Sequence, residues 1–99
     1  MIITQIQENG KLTFNLNGRL DTSTSNKLHD ELIPAFDRSK EIVLNFAELV
    51  YVSSAVLRVL LMAQKTAKSK GASVEIRNVS PDVMEVLEMT GFSNILKIV

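Results

Sequence analysis

The 99-residue chain contains no cysteine and no tryptophan, and only five of its residues are aromatic. Without cysteine the protein has no disulfides, no thiolate metal ligands and no thiol nucleophile. Its single histidine, His29, cannot supply a metal site made of several histidines. Eleven basic residues balance eleven acidic ones, so no basic field indicates nucleic acid or an anionic membrane surface as a partner.

Long apolar runs are absent as well. No stretch approaches the roughly 18 apolar residues of a membrane span, and the amino terminus lacks a basic segment followed by an apolar run. The four glycines lie apart at predicted turns, so no glycine-rich loop is available to bind phosphate. We therefore expect a soluble, cytoplasmic protein that uses no cofactor and no metal and binds neither nucleic acid nor membrane. A small enzyme or nucleotide-binding domain is the class that these absences favour least.

The residues that are present have the pattern of a single α/β domain over residues 1–99, of which 45% are apolar. Asn9 and Gly10 separate two strand-like segments, residues 2–8 and 11–17, and this dipeptide predicts a β-hairpin. Segments with helical spacing then alternate with apolar strand segments, in the order helix, strand, helix, strand, helix. This order predicts a mixed sheet of four to five strands with the helices packed on it. The apolar tail is expected to form a short strand or a docked segment.

Hydroxyl side chains precede two of the predicted helices. The hydroxyls of residues 22–25 are expected to accept hydrogen bonds from the first backbone amides of the first helix. Pro34 is expected to kink or tighten the last turn of that helix. The second helix is expected to begin at Ser53 or Ser54 and to end near Lys70.

Apolar spacing assigns faces to the second and third helices. Val56 belongs to the inward stripe of the second helix, whereas Arg58 and Met62 fall on its more exposed side. The third helix is expected to span about residues 81–90, with Thr90 facing the core.

Ser53 and Ser54 stand where an apolar strand gives way to the second helix. Serine is a good helix cap because its hydroxyl accepts hydrogen bonds from free amides, but one serine suffices for this. A phosphate on either hydroxyl would be stabilised by the same amides and would add about −1.5 to −2 charges to the surface. The residues alone leave capping and phosphorylation open, and capping is the simpler interpretation.

Three segments resemble the STAS domain family, and specifically the bacterial anti-sigma factor antagonists. The segment IVLNFAELVYVSSAVLRVLL, residues 42–61, is similar to the family's apolar strand, short acidic connection and serine-containing helix start. The segments LNGRLDTSTSNKL and VSPDVMEVLEMTGFSNIL are similar to its loop before the first helix and to its last helix with an apolar tail. Together the three segments cover essentially the whole chain.

The resemblance implies a partner-switching regulator. Such a protein binds, when unphosphorylated, an anti-sigma factor that is often also its serine kinase, of the GHKL type; phosphorylation ends the binding and a serine phosphatase restores it. Ser54 matches the phosphoacceptor, and Ser53, the second choice, is the expected cap in a place often occupied by aspartate. Val56 stands where the family usually has glycine and is expected to narrow the approach of the kinase. The expected partner-binding residues are Asp21, Thr22, Ser53, Ser54, Val56, Arg58 and Met62.

The same resemblance allows a protein without a switch, namely a constitutive STAS subunit of a larger assembly such as a lipid-transport ATPase. In that case the helix start at Ser53 and Ser54 contacts another subunit, and phosphorylation plays no part. Neighbouring coding regions for a kinase-like anti-sigma factor or a phosphatase would favour the switch, and transporter subunits would favour the scaffold.

Overall fold

The fold begins with a β-hairpin whose two-residue turn is formed by Asn9 and Gly10. The computed structural model describes all 99 residues, and in it the two turn residues have positive φ angles of 51° and 80°, as a tight hairpin requires. The turn joins β1 (Ile2–Glu8) to β2 (Lys11–Leu20), which pair antiparallel. The predicted hairpin is confirmed, and β2 extends beyond its expected end.

Three helices and three further strands follow the hairpin. They are α1 (Thr22–Ala35), β3 (Glu41–Val52), α2 (Ser54–Ser69), β4 (Ser73–Arg77), α3 (Pro81–Met89) and β5 (Lys97–Ile98), with a short 3-10 helix at Phe92–Asn94. The sheet order is β1-β2-β3-β4-β5, and every pair after the hairpin is parallel. The predicted mixed α/β sheet is confirmed, with the apolar tail forming the fifth strand. None of the helices combines the length and the apolar character needed to cross a membrane.

The apolar core lies between the helices and one face of the sheet. Along β2, Leu12, Phe14 and Leu16 are buried while the residues between them are only partly buried, as expected for a strand with one covered face. From α2, Val56 and Leu60 join the same core cluster. Burial of a leucine side chain contributes about 1.5–3 kcal/mol, so α2 is held in place mainly by its apolar face.

β3 is longer than the sequence predicted. Residues 47–52, expected to form a short acidic connection, continue the strand up to Val52. The register against β2 shifts at two places, and at each of them β3 has one extra residue. Bulges of this kind redirect side chains without ending the strand. They carry β3 to the start of α2, so that Ser53 is the only residue between strand and helix.

The ends of α1 and α3 also differ from expectation. α1 is capped by the Asp21 carboxylate rather than by the hydroxyls of residues 22–25, because an anion also interacts favourably with the positive end of the helix. Pro34 lies inside the last turn, and the helix ends one residue later. Thr90, expected to face the core, is exposed and donates a hydrogen bond of 2.8 Å to the Val86 carbonyl at the end of α3.

Candidate functional site

The carboxyl ends of β2 and β3 bring two helix starts together. Leu20 and Val52 are paired at these ends, and the Ser53 amide donates a hydrogen bond of 2.8 Å to the Leu20 carbonyl. Neighbouring parallel strands end at the same edge of a sheet, so the helices that follow them begin side by side. This edge gathers four of the predicted site residues: Asp21, Thr22, Ser53 and Ser54.

Asp21 forms the amino-terminal cap of α1. Its Oδ1 accepts hydrogen bonds from the Thr24 amide and the Ser23 hydroxyl, both at 3.0 Å, and the Asp21 amide donates to Thr24 Oγ1 at 2.8 Å. This reciprocal arrangement is a capping box. The hydrogen bond from the Thr24 amide, followed by those from the Ser23 and Thr24 hydroxyls, holds the pKa of Asp21 below its ordinary value of 3.8. Asp21 therefore carries a negative charge beside the site.

The lowered pKa of Asp21 predicts a pH dependence of stability. A carboxylate whose pKa is lower in the folded than in the unfolded state stabilises the fold above the unfolded pKa, and this contribution is lost as the pH falls through the folded pKa. Asp21→Asn keeps a capping oxygen without the charge. We expect Asp21→Asn to lower the melting temperature at about pH 7. The difference in melting temperature between this variant and wild type, the gap, should narrow as the pH falls to about 2. Thermal unfolding followed by circular dichroism checks this, and a gap independent of pH would contradict it.

Ser53 occupies the cap position of α2 without acting as a cap. Its backbone is extended, with φ −91° and ψ 168°, but its side chain accepts no hydrogen bond from the helix amides. The Ser53 hydroxyl oxygen is enclosed and has no hydrogen-bond partner in the protein. The prediction that Ser53 caps α2 is therefore wrong for its side chain. An enclosed hydroxyl is also poorly placed to accept a phosphate.

Ser54 is the first residue of α2 and is exposed. No side chain caps the amides of this helix start, and the Val56 amide donates only to the Ser53 carbonyl, at 3.2 Å. Uncapped amides and the helix dipole favour a negative charge at such a position. Of the two serines, Ser54 is therefore the accessible one.

A groove of about 270 Å³ separates the first halves of α1 and α2. Three predicted partner-binding residues line it, namely Thr22 from α1 and Arg58 and Met62 from α2. Met62 is 40% exposed, and Arg58 is exposed and takes part in no ion pair. The groove thus offers an apolar side chain and an unpaired positive charge. Its other lining residues, none of them acidic, are Ser25, Asn26, His29, Ala55 and Val59.

Val56 does not belong to this surface. Its side chain is 0% exposed and packs in the apolar core. It precedes Arg58 by two residues, which places it about 200° away around the helix axis. This burial confirms the inward stripe predicted for α2. A side chain buried in the core does not reach the surface, so we leave Val56 out of the partner-binding surface proposed below.

A chain of asparagines, to which the sequence assigned no role, crosses the sheet near the first bulge of β3. Asn45 Nδ2 donates to Asn15 Oδ1 at 2.8 Å, and Asn45 Oδ1 accepts from Asn78 Nδ2 at 2.8 Å and from the Ala47 amide at 3.0 Å. Asn45 thereby links β2, the first bulge of β3 and Asn78, the residue that follows β4. In the sequence Asn45 was a polar residue within the apolar run of β3 and one of the residues that carry the family resemblance, but neither signal predicted these hydrogen bonds.

Two exposed apolar side chains near the end of β3 were also missed. Val50 is 74% exposed and Tyr51 is 41% exposed. The Arg19 guanidinium lies 4.3 Å from the centroid of the Tyr51 ring, which is a cation–π arrangement. These residues extend the exposed surface up to the start of α2.

A family model described as "Mlab, STAS domain" matches residues 4–98. The chain belongs to the STAS domain family. The anti-sigma F factor antagonist of Paenibacillus polymyxa is 32% identical to this STAS domain over 91 residues, which cover 90% of this chain and 78% of that protein. The family that the sequence segments indicated is therefore confirmed.

Solved structures show the same STAS fold. An anti-sigma factor antagonist from Mycobacterium paratuberculosis is similar with a TM-score of 0.85 and 15% identity, over 98% of this chain and 83% of that one. SpoIIAA, a Bacillus cell fate determinant solved in the phosphorylated form, is similar with a TM-score of 0.77 and 16% identity, over 99% of this chain and 91% of that one. At these identities the comparison with solved structures establishes the fold of the STAS domain and no more.

Proposed function

We propose that this STAS domain is an anti-sigma factor antagonist whose binding is switched off by phosphorylation of Ser54. The observation that carries the proposal is the contrast between two adjacent hydroxyls. Ser54 is exposed at an uncapped helix start, whereas the Ser53 hydroxyl is enclosed. The name of the Paenibacillus relative supports the antagonist role, and the existence of SpoIIAA in a phosphorylated form supports the switch.

The surface proposed to bind the anti-sigma factor, which we call the antagonist face, surrounds Ser54. It combines an exposed methionine, an unpaired guanidinium and a carboxylate around neutral hydroxyls. A phosphate at Ser54 would have to lose its water on binding or face acidic groups of the partner, and either effect weakens the complex. The protein then acts in the cytoplasm by binding, without catalysis and without contacting DNA itself. The residues of the antagonist face are Asp21, Thr22, Ser53, Ser54, Arg58 and Met62.

The phosphoryl group comes from ATP. The kinase, which we expect to be the anti-sigma factor itself and of the GHKL type, transfers the γ-phosphoryl group to Ser54 Oγ. An O–P bond forms at Ser54 as the bond from the γ-phosphorus to the bridging oxygen breaks, ADP leaves, and the hydroxyl proton passes to a base of the kinase. A serine phosphatase restores the serine by transferring the phosphoryl group to water.

Phosphorylation of the purified chain tests the proposal. The protein is incubated with ATP and, in turn, with each GHKL-type kinase encoded by the source genome, and the products are mapped by tandem mass spectrometry. We expect one phosphate, on Ser54, with at least one of these kinases. Ser53→Ala is the matched control, and it should still be phosphorylated, whereas Ser54→Ala should bind the partner and remain unmodified.

Two results would contradict the proposal. One is a phosphate that maps to Ser53, and the other is a chain that none of these kinases modifies. A constitutive STAS subunit, such as one in a lipid-transport ATPase, is the alternative. In that case wild type and Ser54→Asp would bind the other subunits with equal affinity.

A further inference from the structure

Arg58 is an exposed cation without an acidic partner. Lys70, Arg77 and Lys97 are the lysine and arginine side chains that form ion pairs, and His29 Nδ1 lies 3.2 Å from Asp30 Oδ1. The side chains that share the groove with Arg58 include no carboxylate. A guanidinium has five N–H donors in a planar fork that matches phosphate geometry. The chain therefore presents an unused phosphate-binding group on its surface.

This group lies one helical turn after Ser54. Residues four apart in a helix are neighbours on the same face, with about 5–6 Å between their Cβ atoms. Side chains in a helix lean toward its amino terminus, so the arm of Arg58 leans toward the turn that contains Ser54. The amides at that helix start have no side-chain cap. A phosphate on Ser54 would thus find a guanidinium and free amides within one turn of helix.

We propose that Arg58 binds the phosphate on Ser54 and thereby leaves the groove between α1 and α2. This inference rests on the proposed phosphorylation of Ser54. In the unphosphorylated chain Arg58 lines the groove, and its side chain is available to a partner. In the phosphorylated chain it is held by the phosphate. Phosphorylation then removes the positive charge of the groove in addition to placing a negative charge on the antagonist face.

A phosphorus NMR titration tests this contact without a kinase. Phosphoserine is incorporated at position 54 during translation, and the ³¹P chemical shift is followed through the second ionisation, near about pH 6. We expect the midpoint for the wild-type background to lie about half a pH unit below that for Arg58→Met, because a nearby cation favours the dianion. Arg58→Lys should fall between the two. The difference should shrink in about 1 M salt, which screens exposed charges.

Matched controls distinguish a direct contact between Arg58 and the phosphate from the long-range effect of any positive charge on the helix. Lys65→Met removes a positive charge from the same helix at roughly 16 Å along the axis from position 54, and should leave the midpoint unchanged. His29 also lines the groove, so each titration is repeated in His29→Gln. Asp21, at the start of α1, remains ionised throughout, since its pKa lies below 3.8.

Equal midpoints for the wild-type background and Arg58→Met would overturn the contact, as would an equal shift produced by Lys65→Met. These results test only the contact made by Arg58, because phosphoserine is incorporated at position 54 during translation and no kinase is needed. A failure of every kinase to modify Ser54, or a partner affinity insensitive to the phosphate, would instead contradict the proposed function. The two proposals can therefore fail separately.

Discussion

A phosphate on Ser54 is expected to lower the affinity for the anti-sigma factor at least about a hundredfold, and Ser54→Asp at least about tenfold. Each factor of ten corresponds to about 1.4 kcal/mol, whereas the removal of an uncompensated charge from water costs several kcal/mol. Phosphoserine carries about −1.5 to −2 charges and aspartate only one, so aspartate should have the smaller effect. Isothermal titration calorimetry with the anti-sigma factor that phosphorylates the chain measures both values.

Ser69→Asp is the matched control for this experiment. Ser69 is exposed at the opposite end of α2, roughly 22 Å along the helix axis from Ser54, and receives the same change of side chain. We expect it to leave the affinity unchanged. If wild type, Ser54→Asp and the phosphoserine form bound equally tightly, Ser54 would not be a switch.

Val56→Gly is expected to lower the free energy of unfolding by about 2–4 kcal/mol. Val56 is 0% exposed, so loss of its side chain leaves a cavity between α2 and the sheet. Glycine adds a further cost because it loses more backbone freedom when the helix forms. Val56→Ala, which creates the cavity without the glycine, should cost about 1–3 kcal/mol. Urea unfolding followed by circular dichroism gives both values.

An exposed valine provides the comparison. Val50 is 74% exposed, and Val50→Ala should change the free energy of unfolding by no more than about 0.5 kcal/mol. Partner affinity of Val56→Gly, measured well below its melting temperature, should equal that of wild type because the side chain is absent from the antagonist face. A stability loss below about 1 kcal/mol would contradict the packing of α2 seen in the structure.

Much of the fold could be predicted because its signals are local. Asn9 and Gly10 adopt the positive φ angles of the predicted hairpin turn, and alternation in β2 marks the face that is buried. The extent of α2 agreed closely with the prediction, since apolar residues at helical spacing and Gly71 after the helix both report on neighbouring positions. Each of these patterns is complete within a few residues.

The errors arose where a residue's role depends on distant segments. Residues 47–52 are strand because they pair with β2, which their own sequence does not reveal. Asn45 acquires its role from Asn15 and Asn78, each about thirty residues away, through hydrogen bonds that exist only once the strands are paired. In α1, both a carboxylate and four hydroxyl residues could have capped the helix, and the chain geometry selected Asp21.

The sequence by itself determined the family, the order of the elements and the segment in which the site lies, because these follow from local periodicity and from the resemblance of the STAS segments. Apolar spacing already assigned Val56 to the inward stripe of α2, and its burial confirms that assignment. Only the tertiary structure distinguished Ser53 from Ser54, because the sequence shows that both lie at the helix start but not which hydroxyl is exposed. Exposure depends on how β3 and α2 pack against the rest of the molecule, and that packing left Ser54 at the surface and enclosed the hydroxyl beside it.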